Sequence, residues 1–338
     1  MRFALIGTTG HVDYYAPMLA ERPHVEVAGI AKADPSESLE RMQKLPGVTE
    51  RTRAFDSWET MLDEVKPDAV QICARTQPAL AIITACAARG IHIMTEKPLA
   101  ADLESLHQLY AQVSGAGVVL APLHGYRRFP ALAALQAAVR GGRIGEPIQA
   151  ASQISYRWGV RRPDYMKSRA EFPGVVPFIG IHIVDWLLWI WGDVFVDATG
   201  WESYQSHPDY LGCASQASFA LRSTNGGIAS ATLDFARPLA APSHGDERVR
   251  IVGTQGVGEC RILDPAATLL TDPDGPIDLP EPDAPHWYST FIDAATGAGA
   301  CFIGLEQAFR VSEIALLVQQ AIDRGETKSL RNSPFITP

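Results

Sequence analysis

The sequence predicts an α/β chain in two parts. Residues 1–122 read as a doubly wound parallel sheet, and residues 123–338 as an α+β part with a large, open and mostly antiparallel sheet. Three observations predict this. Through the first third, short apolar runs alternate with helix-like stretches, which implies helical crossovers between parallel strands. From about residue 148 the apolar pattern changes to period two, with turn signals such as Asn225-Gly226-Gly227 between runs. The chain has 338 residues, enough for two domains of roughly 100–200 residues each.

In chain order, Phe3–Ile6 is a strand and Tyr14–Glu21 a helix. Val25–Ala31 is the second strand, and Asp34-Pro35-Ser36-Glu37 has the look of a helix start. Ala54-Phe55 is a short strand, Trp58–Val65 a helix, Ala69–Ala74 a buried strand, and Ala79–Arg89 an Ala-rich helix closed by Gly90. Ile91–Met94, Leu103–Ser114 and Val118–Pro122 complete the first part as strand, helix and strand. The alternation suggests a nucleotide-binding type of domain. Ala131–Arg140 is then a helix. Ile148–Tyr156, Ala214–Leu221, Ile228–Phe235 and Arg248–Val252 are strands, with an apolar helix at Val184–Trp191. Asp272–Pro285 reads as a surface loop, and Leu305–Arg324 as a long closing helix.

Composition narrows the function classes. The chain is 46% hydrophobic and 20% charged, ordinary for a globular protein. Its formal charge of −9 argues against nucleic-acid binding, which relies on basic surfaces. Cys73, Cys86, Cys213, Cys260 and Cys301 are odd in number and form no CxxC pair, so neither a disulfide framework nor a zinc site is expected, and a reducing cytoplasm is. The most apolar stretch, 175–191, contains Pro177, His182 and Asp185, which suits a protein core rather than a membrane.

Four segments carry candidate chemistry. Gly7-Thr8-Thr9-Gly10-His11-Val12 lies between the first strand and a helix, where free N–H groups favour a pyrophosphate. The dinucleotide fingerprint has Gly at positions one, three and six; only Gly7 matches, and the segment reads equally as a plain strand–helix turn. Lys32 stands near the end of the second strand, where an acid binding ribose hydroxyls is usual. It would meet a 2′-phosphate and so slightly favour NADP over NAD, or it is a solvated lysine. Glu96-Lys97-Pro98 follows a strand of the parallel sheet, whose carboxyl ends line ligand crevices. There Lys97 would steady a substrate oxygen, with Glu96 tethering it or touching the cofactor. His182 and Asp185, three apart on an apolar helix, form a plausible buried pair that suits a general base taking a hydroxyl proton. A satisfied core histidine is the competing reading.

Together these pieces resemble the Gfo/Idh/MocA family of oxidoreductases, over nearly the whole chain. The resemblance rests on the Gly7 loop, Glu96-Lys97-Pro98, Tyr126-Arg127-Arg128-Phe129, Gly142-Arg143-Ile144-Gly145-Glu146 and Gly180-x-His182-x-x-Asp185, in that order. It implies an N-terminal Rossmann domain binding NAD or NADP, and a C-terminal substrate domain whose open sheet builds homodimers or homotetramers. It implies oxidation or reduction of a sugar, polyol or related small hydroxylated molecule, with Lys97 and His182 catalytic. Ala74 and Arg75 would lie on the cofactor side, Tyr126, Arg127 and Asp185 on the substrate side. Arg162 and Tyr165, in a loop seen in some members, would also meet substrate. Two departures stand out: Phe178 occupies the place of the family's aspartate four residues before the histidine, and Ala79 that of another histidine. They leave two alternatives open: a non-redox binding or regulatory relative, and an enzyme using tightly held NAD transiently in glycoside hydrolysis. An acidic body with a basic cleft formed by Lys32, Arg75, Lys97, Arg127 and Arg162 is the expected charge distribution.

Overall fold

The computed structural model describes every residue except 16–18, 20, 21, 23, 160, 161, 281, 283–286, 337 and 338. The chain divides into two units, Met1–Leu123 with Pro285–Phe309, and His124–Ala284 with Arg310–Pro338. The segment Pro285–Phe309, assigned from sequence to the second part, thus lies with the first.

The first unit holds six strands: β1 (Arg2–Ile6), β2 (Glu26–Ala31), β3 (Arg53–Phe55), β4 (Ala69–Ile72), β5 (His92–Thr95) and β6 (Leu120–Pro122). They pair in the order β3-β2-β1-β4-β5-β6, every pair parallel. This is the doubly wound order whose switch point lies between β1 and β4. The central strands are buried from Phe3 to Ile6 and from Ala69 to Ile72, with Gln71 their one polar residue, because both faces are covered. Helix Trp58–Val65 starts where Ser57 accepts the Thr60 N–H, and Leu103–Ser114 where Asp102 accepts that of Ser105. Such a cap contributes about 1 kcal/mol. Helix Thr76–Ala88 matches the Ala-rich prediction. Of the helix expected at Tyr14–Glu21, Val12–Tyr15 is described; residues 16–18, 20 and 21 lie outside the described set.

Asp34 starts no helix. Its carboxylate accepts from the Ser36 N–H and hydroxyl, closing a tight turn, and the next helical piece is the short turn Met42–Lys44. The late segment joins this unit through a buried relay. The Tyr288 hydroxyl, on helix Trp287–Ala295, donates to Gln71 on β4, whose amide reaches the Cys73 sulfur. Tyr110 and Phe309 also pack edge to face, centroids 5.0 Å apart.

The second unit holds β7 (Pro147–Tyr156), β8 (Phe195–Ser203), β9 (Gln216–Ser223), β10 (Ile228–Asp234), β11 (Gly245–Gly253), β12 (Gly256–Arg261), β13 (Ala267–Thr271), β14 (Gly275–Leu279) and β15 (Lys328–Ser329). Their order is β14-β13-β12-β11-β7-β10-β9-β8-β15, antiparallel except for β7 with β10. β14 lies inside the stretch expected as a loop, and β8, β12 and β13 were not anticipated. One face is outward and polar; the other packs on helices. Helix Ile181–Trp191 is the most deeply placed, with only Trp189 partly exposed. Each large apolar side chain so buried contributes roughly 1.5–3 kcal/mol. The helix starts earlier than the expected Val184 because the π-helical turn Val176–Gly180 runs into it. Gly174, ahead of that turn at φ +112°, allows a close approach of Arg169 and Gln319.

Candidate functional site

In the first unit the site is built on the carboxyl ends of β1, β2, β4 and β5. Gly7 and Gly10 both hold left-handed backbone, at φ 85° and 84°. A Cβ on Gly7 would strike the Cys73 carbonyl, and one on Gly10 the Glu96 carboxylate. The loop is thus pressed against the ends of β4 and β5. Thr9 N–H donates to the Cys73 carbonyl, 2.8 Å. Two further loop amides are held by carboxylates: Thr8 N–H by Glu37 at 3.0 Å, and His11 N–H by Glu96 at 2.7 Å. The His11 ring contacts the same Glu96 oxygen through Nδ1, 2.8 Å. Burial pushes the Glu96 carboxyl up, but the His11 charge and hydrogen bonds and the Lys97 charge outweigh it and hold it below the usual range. Burial lowers Lys97, against the opposing pull of Glu96.

Lys32 is engaged. Its ammonium meets Asp56 at 2.6 Å, while the Glu37 carboxylate receives the Thr8 and Ala33 N–H groups. Glu37 therefore bridges the glycine loop and the end of β2. Sequence reasoning missed it because Glu37 appeared to belong to a helix start; the signal was an acid a few residues beyond the expected position. Arg41, also unanticipated, ties the Thr8 carbonyl to Asp13. Ala74 is buried after β4, and Arg75 heads the following helix, 3.4 Å from Asp34. The Thr8 and His11 amides each hold a carboxylate oxygen, so the loop can bind anionic oxygens, and a pyrophosphate there takes the place of Glu37 and Glu96 on those amides.

In the second unit, the turn Gly125–Arg128 presents Tyr126 and Arg127 to helix Ile181–Trp191. Asp185, expected beside His182, is gripped instead by Arg127: Nη2–Oδ1 is 2.6 Å and Nε–Oδ2 3.1 Å. The fork geometry of a guanidinium matches a carboxylate, and both side chains are buried, 3% and 2% exposed. His182 takes the edge of the Tyr126 ring, centroids 4.8 Å apart. The Tyr126 hydroxyl donates to Glu247 at 2.7 Å and also hydrogen-bonds Tyr156. Burial pushes the Tyr126 phenol well up, and the Tyr156 and Glu247 charges add to it.

Arg162 is placed among the aromatic and carbonyl groups of its own loop. It lies over Trp158 and Phe235, and donates to the Trp158 and Arg157 carbonyls, which makes it an organiser of its loop. Tyr165 packs near Phe172, 6.1 Å between centroids. Lys32, Arg75 and Arg127 each face a carboxylate of their own unit, and Glu96 acts on Lys97.

Comparison with known proteins decides the family. Residues 1–124 match the family model described as "Oxidoreductase family, NAD-binding Rossmann fold", and residues 132–259 the model of the GFO/IDH/MocA C-terminal domain. The chain belongs to the Gfo/Idh/MocA family. A solved structure from Thermotoga maritima matches this member with TM-score 0.88 at 28% identity, over 97% of this chain and 100% of the other. Levoglucosan dehydrogenase in complex with NADH and L-sorbose shares the fold, with TM-score 0.81 at 18% identity over 98% and 99%. By sequence, 1,5-anhydro-D-fructose reductase of Ensifer adhaerens is 30% identical over 42% of this chain and 43% of its own length. Myo-inositol 2-dehydrogenase of Thermotoga maritima is 26% identical over 70% and 68%. The matched stretch spans less than half of the first three curated relatives, 43%, 47% and 44%. In this family the dinucleotide-binding part is the Rossmann unit, matched here by residues 1–124. Among the described residues no helix is long and apolar enough to cross a membrane.

Proposed function

We propose that the chain is an NAD(H)-dependent oxidoreductase of a sugar, polyol or related hydroxylated small molecule. The observation that carries this reading is His182, buried on the helix that also carries Asp185, with its ring set edge to face with Tyr126, whose hydroxyl donates to the buried Glu247. In the oxidation, His182 takes the hydroxyl proton; Lys97, at the carboxyl end of β5 in the first unit, is the lysine that the family resemblance makes catalytic. The nicotinamide, when bound, supplies the acceptor for the hydride leaving the same carbon. Gly7 to His11, with Ala74, Arg75 and Glu96, hold the dinucleotide; Tyr126, aligned by its hydroxyl partners, orients the substrate. Asp185 serves by fixing Arg127.

Glu37 supports NAD(H) over NADP(H) in this proposal. Its carboxylate occupies the region between loop and β2 where an acid binds ribose hydroxyls, and a 2′-phosphate would meet its charge. Lys32, the sequence argument for NADP, is taken by Asp56.

A homodimer or homotetramer through the outward face of the nine-stranded sheet also belongs to this proposal. On that face Trp201 is 70% and Ile228 52% exposed, and the row Trp201, Ser218, Thr232, Gln153 crosses four strands. Five free cysteines support a reducing, cytoplasmic setting.

The deciding experiment combines NADH and NADPH titrations, read by tryptophan fluorescence, with hydride transfer across a panel of sugars and polyols. NADH should bind more tightly, Glu37→Gln should narrow the difference, and His182→Ala should abolish transfer. Turnover unaffected by His182→Ala overturns the acid–base assignment, and tighter NADPH binding overturns the cofactor preference.

A further inference from the structure

The position where the family resemblance places an acid is Phe178, and its ring packs on Phe172 with centroids 5.0 Å apart. A carboxylate enters the same unit from another element. Glu247 lies on the inner face of β11, where the flanking inward residues, Val249 and Ile251, are core. It is only 4% exposed, an unusual place for an acid unless the fold uses it. The strand makes room for it: a Cβ on Gly245 would strike Glu247 Oε1 and come 2.8 Å from the Tyr156 ring. Glu247 Oε1 receives the Tyr126 hydroxyl, and the Tyr126 ring meets the His182 ring edge to face.

We propose that Glu247 is a positioning residue of the acid–base site, acting on His182 through Tyr126 in the role that an acid at position 178 would hold. This rests on the reading of His182 as the acid–base group. Other titratable groups face these residues. Tyr156 faces Glu247 from β7, and His244 lies against Tyr156. From helix Ile181–Trp191 come His182 and Asp185, the latter engaged by Arg127. His124 stands 6.3 Å from His182, ring to ring. Asp246, the neighbouring acid, meets Arg237, Arg248 and Arg261. An ionised Glu247 fixes the Tyr126 hydroxyl, and with it the ring against which the imidazole rests, while its charge favours the imidazolium.

The test needs no substrate. The His182 imidazole, assigned with His182→Asn, is titrated by NMR in the full chain and in Glu247→Gln, Tyr126→Phe and the double variant. Glu247→Gln should lower the His182 midpoint by about half a pH unit or more. The double variant should move it no further than the larger single change, since both act along one path. An unchanged midpoint in folded Glu247→Gln overturns the proposal; should that variant fail to fold, an unchanged midpoint in Tyr126→Phe does so. Loss of the redox reading is distinguishable, because it appears as turnover surviving His182→Ala and leaves the titration as measured.

Discussion

The Arg127–Asp185 pair makes a quantitative prediction about the second unit. Both side chains are nearly fully buried, and the guanidinium reaches the carboxylate through Nε and Nη2 while lying over Trp189, 5.3 Å from its ring centroid. Asp185→Asn takes from the buried guanidinium the carboxylate it grips, and Arg127→Met takes from the buried carboxylate its guanidinium. Breaking such a pair costs about 3–5 kcal/mol, whereas replacing both members by apolar groups is often neutral. Each single variant should therefore destabilise the unit by about 3–5 kcal/mol, and Arg127→Met/Asp185→Leu should cost less than either. Urea unfolding followed by tryptophan fluorescence reads it well, since Trp158, Trp186, Trp189, Trp191 and Trp201 all lie in this unit. Single costs below about 1 kcal/mol, as at exposed pairs, or a double variant that simply sums the two, would refute the argument.

Further expectations follow from the same geometry. Gly10→Ala puts a side chain at φ 84° and against Glu96, so it should cost roughly 1–3 kcal/mol and weaken NADH binding, read by thermal unfolding and titration. Burial raises Glu247 above the ordinary 4.5, despite hydrogen bonding from Tyr126. A raised folded value contributes stability below the unfolded one and loses it as pH climbs through the folded one, so Glu247→Gln should gain on the parent chain as pH rises above 4.5 in urea melts at several pH values. Trp201→Ser should weaken self-association by tenfold or more in sedimentation, about 1.4 kcal/mol or greater, as expected for a central aromatic anchor.

Much of the fold was legible in local pattern. Trp58–Val65, Leu103–Ser114 and Leu305–Arg324 appear with the limits expected, because caps and apolar spacing define them locally. β8 and β12 to β15 were not legible: they are short or weakly alternating, and the two-residue β15 is a strand only through its pairing with β8, far away in sequence. The Asp34 segment failed for a chemical reason, since its side chain closes an Asx turn on Ser36 instead of capping a helix. Individual site residues were easier to find than their partners. Asp185 pairs with Arg127 and not with His182, because helical spacing reports which residues share a face, and the Arg127 guanidinium arrives from a different element.

The departures from the family pattern acquire a common physical form. Lys32 stands where an acid is usual, and Glu37 brings a carboxylate to the loop amide and the end of β2. Phe178 stands where an acid is usual, and Glu247 brings one from β11 to Tyr126. In each case the motif position has changed, yet a carboxyl is present on another part of the chain within the same unit. A binding or proton-transfer site constrains where charge sits and what it bonds, and places no condition on which sequence position supplies it. Loss at a motif position therefore predicts loss of function only when no other element carries the same group to the same partners. Substituting Glu37 or Glu247 is for that reason a sharper probe of this chain than restoring an acid at position 32 or 178, where the neighbouring structure is arranged around lysine and phenylalanine.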